Sequence, residues 1–198
     1  MSRPRAARGP AHAVHLIGGL WKRSRLPVAD RPGLRPTPSR VRETLFDWLG
    51  HDLAGWRCLD AFAGSGALGL EAASRGAAEV VLLERDSLLL DGLRQTVQRL
   101  AATQVRVVRA DALAWMAQAP RAAFDLVLLD PPFEAAIFDA ALAAAVPLLR
   151  PEGRLYLEAD AHWPEPALSA LGLRERRHLR AGAVHAHLLA LQERPGGG

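Results

Sequence analysis

Residues 57–69 read Arg57-Cys58-Leu59-Asp60-Ala61-Phe62-Ala63-Gly64-Ser65-Gly66-Ala67-Leu68-Gly69. A short apolar stretch ends in an acid and enters a glycine-rich turn. A helix-like segment follows, Ala67 to Ser74, closed by Arg75-Gly76. Strand, tight turn and helix N-terminus together make a small-molecule cradle at the carboxyl edge of a parallel sheet. Gly64-x-Gly66-x-x-Gly69 is also literally the dinucleotide fingerprint, in which backbone N–H groups and a helix dipole face a pyrophosphate. Asp60, just before the turn, would repel a diphosphate and attract an amino group or a sulfonium. The acid therefore argues for S-adenosylmethionine over NAD.

The surrounding alternation extends this unit into a fold. Strands are expected at 57–61, 79–84, 104–109, 124–129 and 153–158, and helices at 67–75, 87–101, 111–118 and 135–146. Such alternation predicts a parallel sheet covered on both faces. A helix around 164–170 then precedes strands 173–179 and 184–191, linked only by Arg180-Ala-Gly-Ala183, which demands an antiparallel pair. The expectation is an α/β, Rossmann-like class I methyltransferase domain: a mostly parallel seven-stranded sheet with an antiparallel C-terminal strand and a short N-terminal extension. Residues 1–13 read as a disordered tail, 14–50 as a basic extension ending in a capping helix, 51–192 as the methyltransferase domain and 193–198 as a frayed end. Within the extension, His15-Leu16-Ile17 reads as a short strand paired with Leu26-Pro27-Val28. Thr37-Pro38 reads as an N-cap with proline at the first helical position. Val41, Leu45, Trp48 and Leu49 form the apolar stripe of the helix that follows.

Composition limits the function classes. A chain of 198 residues with 49% hydrophobic and 23% charged residues suits one soluble domain with a full core. No apolar run approaches the roughly 20 residues that span a bilayer, and no apolar segment follows the first charges as in a signal peptide. The single cysteine, Cys58, reads as an inert strand residue, and a cytoplasmic monomer without membrane contact is expected. Residues 1–50 hold ten Lys/Arg against three Asp/Glu, a net of +7, so the remainder carries −3 of the total +4. A basic segment on a mildly acidic body suggests a polyanionic partner. Lys22, Arg23, Arg25, Arg35, Arg40 and Arg42 are the candidate RNA contacts, with Trp21 beside them. In a helix, Arg40 and Arg42 point to different faces, so at most one lies with the apolar stripe.

Three further positions carry chemistry. Glu84 ends the strand Val80-Val-Leu-Leu-Glu84, where an acid can accept both hydroxyls of an adenosine ribose; a surface glutamate is the plainer alternative. Asp111, in Arg109-Ala-Asp-Ala112, suits either the adenine amino group or the N-cap of the next helix. Asp130-Pro131-Pro132-Phe133 follows the apolar run 124–129, and the two prolines end the ladder. An acid before them and an aromatic after them suit an exocyclic amine. Two acceptors on the amino hydrogens, the Asp130 carboxylate and a turn carbonyl, favour pyramidalisation and stabilise charge developing on nitrogen. Phe133 would stack on the base. The seven histidines show no metal-ligand spacing, so no metal is expected. His185-Ala-His187 alternates on a strand and reads as structural or as chance. Ser65 lacks the nucleophile-elbow context of a hydrolase.

Gly18-Gly-Leu-Trp-Lys22, Arg35-Pro-Thr-Pro-Ser-Arg-Val-Arg-Glu-Thr-Leu-Phe46, the 59–71 segment, Ser74-Arg-Gly76, Glu84-Arg85 and Asp130-Pro-Pro-Phe133 resemble the bacterial RsmD family. These are the 16S ribosomal RNA guanine(966)-N(2) methyltransferases, and the resemblance covers about residues 15–192. It implies methyl transfer from S-adenosylmethionine to the guanine N2 amino group of small-subunit rRNA, on an assembled or assembling subunit with ribosomal protein contacts. Asp60, Phe62, Ala63, Gly64, Ser65 and Gly66 would then hold the methionine end, Glu84 and Arg85 the ribose side, Asp111 and Ala112 the adenine. Adenine N6 or cytosine N4 methylation, an NAD-dependent oxidoreductase and a non-catalytic RNA-binding assembly factor are the alternatives.

Overall fold

The computed structural model describes residues 12–28, 37–132 and 137–193. The chain runs β1 (His12–His15), β2 (Arg25–Val28), α1 (Ser39–Leu49), β3 (Arg57–Asp60), α2 (Ala67–Ser74), β4 (Glu79–Glu84), α3 (Ser87–Arg99), β5 (Val105–Arg109), α4 (Ala112–Gln118), β6 (Phe124–Leu129), α5 (Ile137–Ala145), a 3-10 turn (Val146–Leu148), β7 (Leu149–Ala159), α6 (Glu165–Ala170), β8 (Leu173–Ala181) and β9 (Val184–Leu191). β1 and β2 form an antiparallel pair. The other seven strands form one sheet in the order β5-β4-β3-β6-β7-β9-β8, parallel through β7, with β9 antiparallel to both its neighbours.

Period-two alternation divides the central strands between two cores. Cys58, Val80, Leu82, Leu126, Leu128 and Tyr156 pack on one face with α1, α2 and the N-terminal extension. Leu59, Val81, Leu83, Val127, Leu129 and Leu157 pack on the other with α4, α5 and α6. Because Asp60, Asp130 and Glu158 continue this alternation at the strand ends, all three fall on the α1–α2 side.

Expected and observed boundaries differ in a few places. The first strand runs from His12, inside the stretch read as a tail, to His15, so Leu16 and Ile17 lie beyond it; it does pair with the 26–28 segment, in a strand that begins at Arg25. β7 starts at Leu149 because Leu149 pairs with Phe124 across an irregularity in the β6–β7 register. Pro38, not Thr37, is the N-cap of α1 and offers it no side-chain bond. The Thr37 hydroxyl is spent elsewhere. Residues 1–11, the 29–36 segment with Arg35, the 133–136 segment with Phe133, and 194–198 lie outside the described residues.

The extension is fastened by one buried acid. Glu71 on α2 accepts the backbone N–H groups of Ile17 and Gly18, each at 2.8 Å, and Arg75 Nε at 2.9 Å. Arg42 Nη1 lies 3.8 Å from the same carboxylate, while Arg42 Nη2 donates to the His15 carbonyl at 3.1 Å. Ser74 adds a bond to the Gly18 carbonyl at 2.6 Å and receives one from Trp21 N at 2.9 Å. Removing the acid would leave Arg42, Arg75 and two amides facing a void. Glu71→Ala should therefore cost about 3–5 kcal/mol, read as a lower denaturant midpoint with faster proteolysis of residues 12–28; Glu71→Gln, which keeps the shape but only one of the two acceptor oxygens, should cost less than Glu71→Ala.

Candidate active site

At the carboxyl end of β3, Asp60 is buried, and its Oδ2 accepts the Gly69 amide at 2.9 Å. That bond pins the first turn of α2 to the strand. It requires glycine at position 69, because a Cβ there would collide with Leu82 and press on Asp60 Oδ2. The turn between them places Gly64 and Gly66 at φ 53° and 78°, conformations that favour glycine. Asp60 Oδ1 is buried without a well-formed hydrogen bond, the carboxyl taking only weak further support from the Phe62 amide. Burial pushes the Asp60 carboxyl up to about 7, against the Gly69 and Phe62 amides, with the Glu84 and Glu158 charges adding to the rise. An under-satisfied acceptor beside a glycine turn is what a site for a cationic group needs.

Glu84 closes the far side of the turn. Its Oε2 accepts the Gly64 amide at 3.0 Å and its Oε1 the Asp86 amide at 2.8 Å. Asp111 caps α4, accepting Ala114 N at 3.0 Å, so the capping role is the one in place. The Ala112 methyl is buried in the core behind it and Arg85 is exposed.

Asp130 follows β6, one strand over from Asp60. Beside it, at the end of β7, stands Glu158, a buried acid without any motif to announce it. Thr37 Oγ1 donates to Glu158 Oε1 at 2.7 Å, and Tyr156 OH donates to the same oxygen at 2.9 Å. Thr37 Oγ1 also lies 3.4 Å from Asp130 Oδ2. A hydroxyl has one hydrogen, so serving Glu158 leaves Thr37 an acceptor toward a protonated Asp130. Desolvation, then the Glu158 and Asp60 charges, hold the Asp130 carboxyl well above its ordinary range. Glu158 is raised as well by burial, opposed by its bonds to Thr37 and Tyr156 and by the Arg42 charge. Asp130 nevertheless keeps part of its surface open, Pro131 is buried and Pro132 exposed. Asp60, Gly64, Gly66, Glu84 and Asp130 thus gather along one sheet edge, with Thr37, Tyr156 and Glu158 as the residues that sequence reading missed.

Among the proposed RNA contacts, Lys22, Arg23, Arg25 and Arg40 are exposed. Arg42 is not. It is 2% exposed and bonded within the extension, so its reading as an RNA contact is corrected: of the Arg40–Arg42 pair, it is the one that lies inward. Trp21 packs against the core rather than standing free. Cys58 is buried, and burial pushes its thiol up, as suits an inert residue.

The chain is similar to known proteins in both sequence and fold. The family model described as "Conserved hypothetical protein 95" matches residues 14–190. The Escherichia coli protein named "Ribosomal RNA small subunit methyltransferase D" is 44% identical over 146 residues, 74% of this chain and 71% of that protein. The Haemophilus influenzae protein of the same name is 39% identical over 156 residues, 76% of this chain and 81% of that protein. A solved structure described as a putative methyltransferase from Escherichia coli superposes with a TM-score of 0.80 at 37% identity, covering 92% of this chain and all of that one.

The raised carboxyls make a pH prediction. Asp60 titrates near 3.8 when unfolded and about 7 when folded, so between these values the folded chain holds the extra proton. Stability from this group is present at low pH and is lost as pH rises toward 7. His187, whose ring is held low by burial, acts with the opposite sign, so the comparison must be with Asp60→Asn. Thermal unfolding from pH 4.5 to 8 should show wild type losing a few kcal/mol relative to that variant as pH rises. Parallel curves would contradict the raised Asp60.

Proposed function

Because the chain belongs to the Conserved hypothetical protein 95 family, that of the ribosomal RNA small subunit methyltransferases D, we propose that it methylates the exocyclic N2 amino group of one guanine, of the guanine-966 type, in 16S rRNA of the small subunit. Ribosomal protein contacts and a cytoplasmic location follow from that substrate. The observation that carries the reading is the under-satisfied Asp60 oxygen beside the glycine turn, one strand from Asp130. S-adenosylmethionine, when bound, supplies an electrophilic methyl group on a sulfonium.

This chain's residues do the rest. Asp60 Oδ1 accepts from the amino group of the cofactor's methionine end, and the Phe62–Gly66 turn closes around it. Glu84 holds the ribose hydroxyls through lone pairs its two amide bonds leave free, with Arg85 beside it; Asp111 and Ala112 border the adenine. At the other end, the Asp130 carboxylate and the Pro131–Pro132 turn accept the two amino hydrogens of the guanine, turning its lone pair toward the methyl. Thr37, which lies between Glu158 and Asp130, steadies the Asp130 carboxyl. Phe133 stacks on the base. Asp130 is readied for proton transfer by the same crowding that raises it, and it ionises more readily once a cation lies beside it. Lys22, Arg23, Arg25, Arg35 and Arg40 hold phosphates.

Labelled S-adenosylmethionine with small subunits lacking the modification should give N2-methylguanine by mass mapping. Label on adenine N6 or cytosine N4 would overturn the base assignment, and no label on subunits or free rRNA would favour the non-catalytic assembly factor. S-adenosylhomocysteine should raise the melting temperature while NAD does not. Asp130→Ala should abolish methylation while leaving S-adenosylhomocysteine affinity within a few-fold, whereas Asp60→Ala should damage that affinity itself.

Changing Lys22, Arg23 and Arg25 together to Ala should lower the salt slope of subunit binding by about two to three units. An unchanged slope would move the docking surface elsewhere.

A further inference from the structure

Four histidines stand together near the β7–β9–β8 edge, and the methyl-transfer site uses none of them. His187 and His178 are cross-strand partners on β9 and β8, and His185 pairs with Ala159. His162 comes from the turn after β7. His187 lies opposite Leu157, on the sheet face away from Glu158. One ring nitrogen from each of His162, His178 and His187 lies within 4.8 Å of the other two. The residues come from three separate elements, which is why linear spacing predicted no metal.

The arrangement differs from a chance cluster in how its nitrogens are used. His187 is fully buried, and its Nδ1 stands 2.7 Å from Glu175 Oε1. Its Nε2 is buried without a well-formed hydrogen bond, the ring taking only weak support from the Ala161 backbone. A carboxylate on one imidazole nitrogen with the other left unanswered is the pattern that orients a metal-bound histidine. His162 Nε2 lies 3.3 Å from both Glu175 oxygens, and His178 Nε2 lies 3.0 Å from His185 Nδ1, so among the described residues each of these rings keeps Nδ1 uncommitted. Ring centroids of 4.4 to 5.3 Å among the three candidate ligands leave no room for three cations.

We propose that His162, His178 and His187 bind a divalent transition-metal ion, with Zn2+ the best match, and that Glu175 positions His187. Tetrahedral zinc with bonds of about 2.0–2.1 Å sets its nitrogens about 3.3 Å apart. The rings must therefore close slightly, a movement open to exposed His162 by rotation about its side-chain bonds. A fourth position stays open for water. The ion would clasp the β8–β9 hairpin to the turn that leaves β7 just after Glu158, stiffening that strand end from the opposite face. The site stands apart from the methyl-transfer reading, and either can fail without the other.

Titrating Zn2+ alone into the untagged, metal-free full chain by calorimetry should reveal one saturable site of micromolar or tighter affinity, with a raised melting temperature that a chelator reverses. His162→Gln and His178→Gln, both away from the core, should each weaken binding about tenfold or more. His51→Gln, an exposed histidine elsewhere, should leave it unchanged. Absence of saturable binding, or equal affinity in the His162 and His178 variants, would overturn the site, as would loss of binding in His51→Gln.

Discussion

A carboxylate at the end of a buried parallel strand loses water and gains little in return unless N–H groups or a cation answer it. Here three such acids, Asp60, Asp130 and Glu158, end neighbouring strands on one face of the sheet. Protein donors answer them only in part. Gly69 takes one Asp60 oxygen, and Thr37 and Tyr156 share one Glu158 oxygen. What remains, among the described residues, is acceptor capacity that protein donors leave largely unfilled. Such a group favours a ligand that brings a fixed cation and an amine carrying hydrogens, which is why a glycine turn that could have held a pyrophosphate does not suit one here.

Holding these acids together depends on the N-terminal extension. Thr37 reaches Glu158 only because α1 begins where it does, and α1 is kept there by buried Val41, Leu45 and Phe46 and by the Arg42–Glu71 contact. Arg42 also lends Glu158 a positive charge that favours its ionised form. A segment whose basic composition suggested docking therefore has two jobs divided by face. Its inward arginine and threonine build the site, and its outward Lys22, Arg23, Arg25 and Arg40 stay available for a polyanion.

Local signals made much of this legible. The strand–turn–helix at Asp60, the acid at Glu84, the Pro-Pro stop after Asp130 and the short link before β9 all depend on neighbours in sequence, and each element appears where these signals place it. The missed residues act across long separations. Glu158 lies 28 positions from Asp130 and Thr37 lies 121 from Glu158, and nothing in an ordinary strand ending in Glu158-Ala159 marks the acid as buried. Thr37 before proline reads as a cap by local rules, but a buried carboxylate gains more from its hydroxyl than an exposed helix end does. Arg42 and Glu71 look like surface charges in helices for the same reason. Helical spacing sets Arg42 on the face of Leu45 and Phe46 and Arg40 on that of exposed Glu43 and Asp47, and pairing across the fold supplies the inward arginine with its partner.

Asp60, pushed up to about 7, stays partly protonated at neutral pH until a cation reaches it. Calorimetric binding of S-adenosylhomocysteine at pH 7, in two buffers of different ionisation enthalpy, counts protons directly. Release of roughly half a proton or more per molecule bound is expected, with less in Asp60→Asn if that variant still binds. Proton uptake, or no exchange at all, would contradict it.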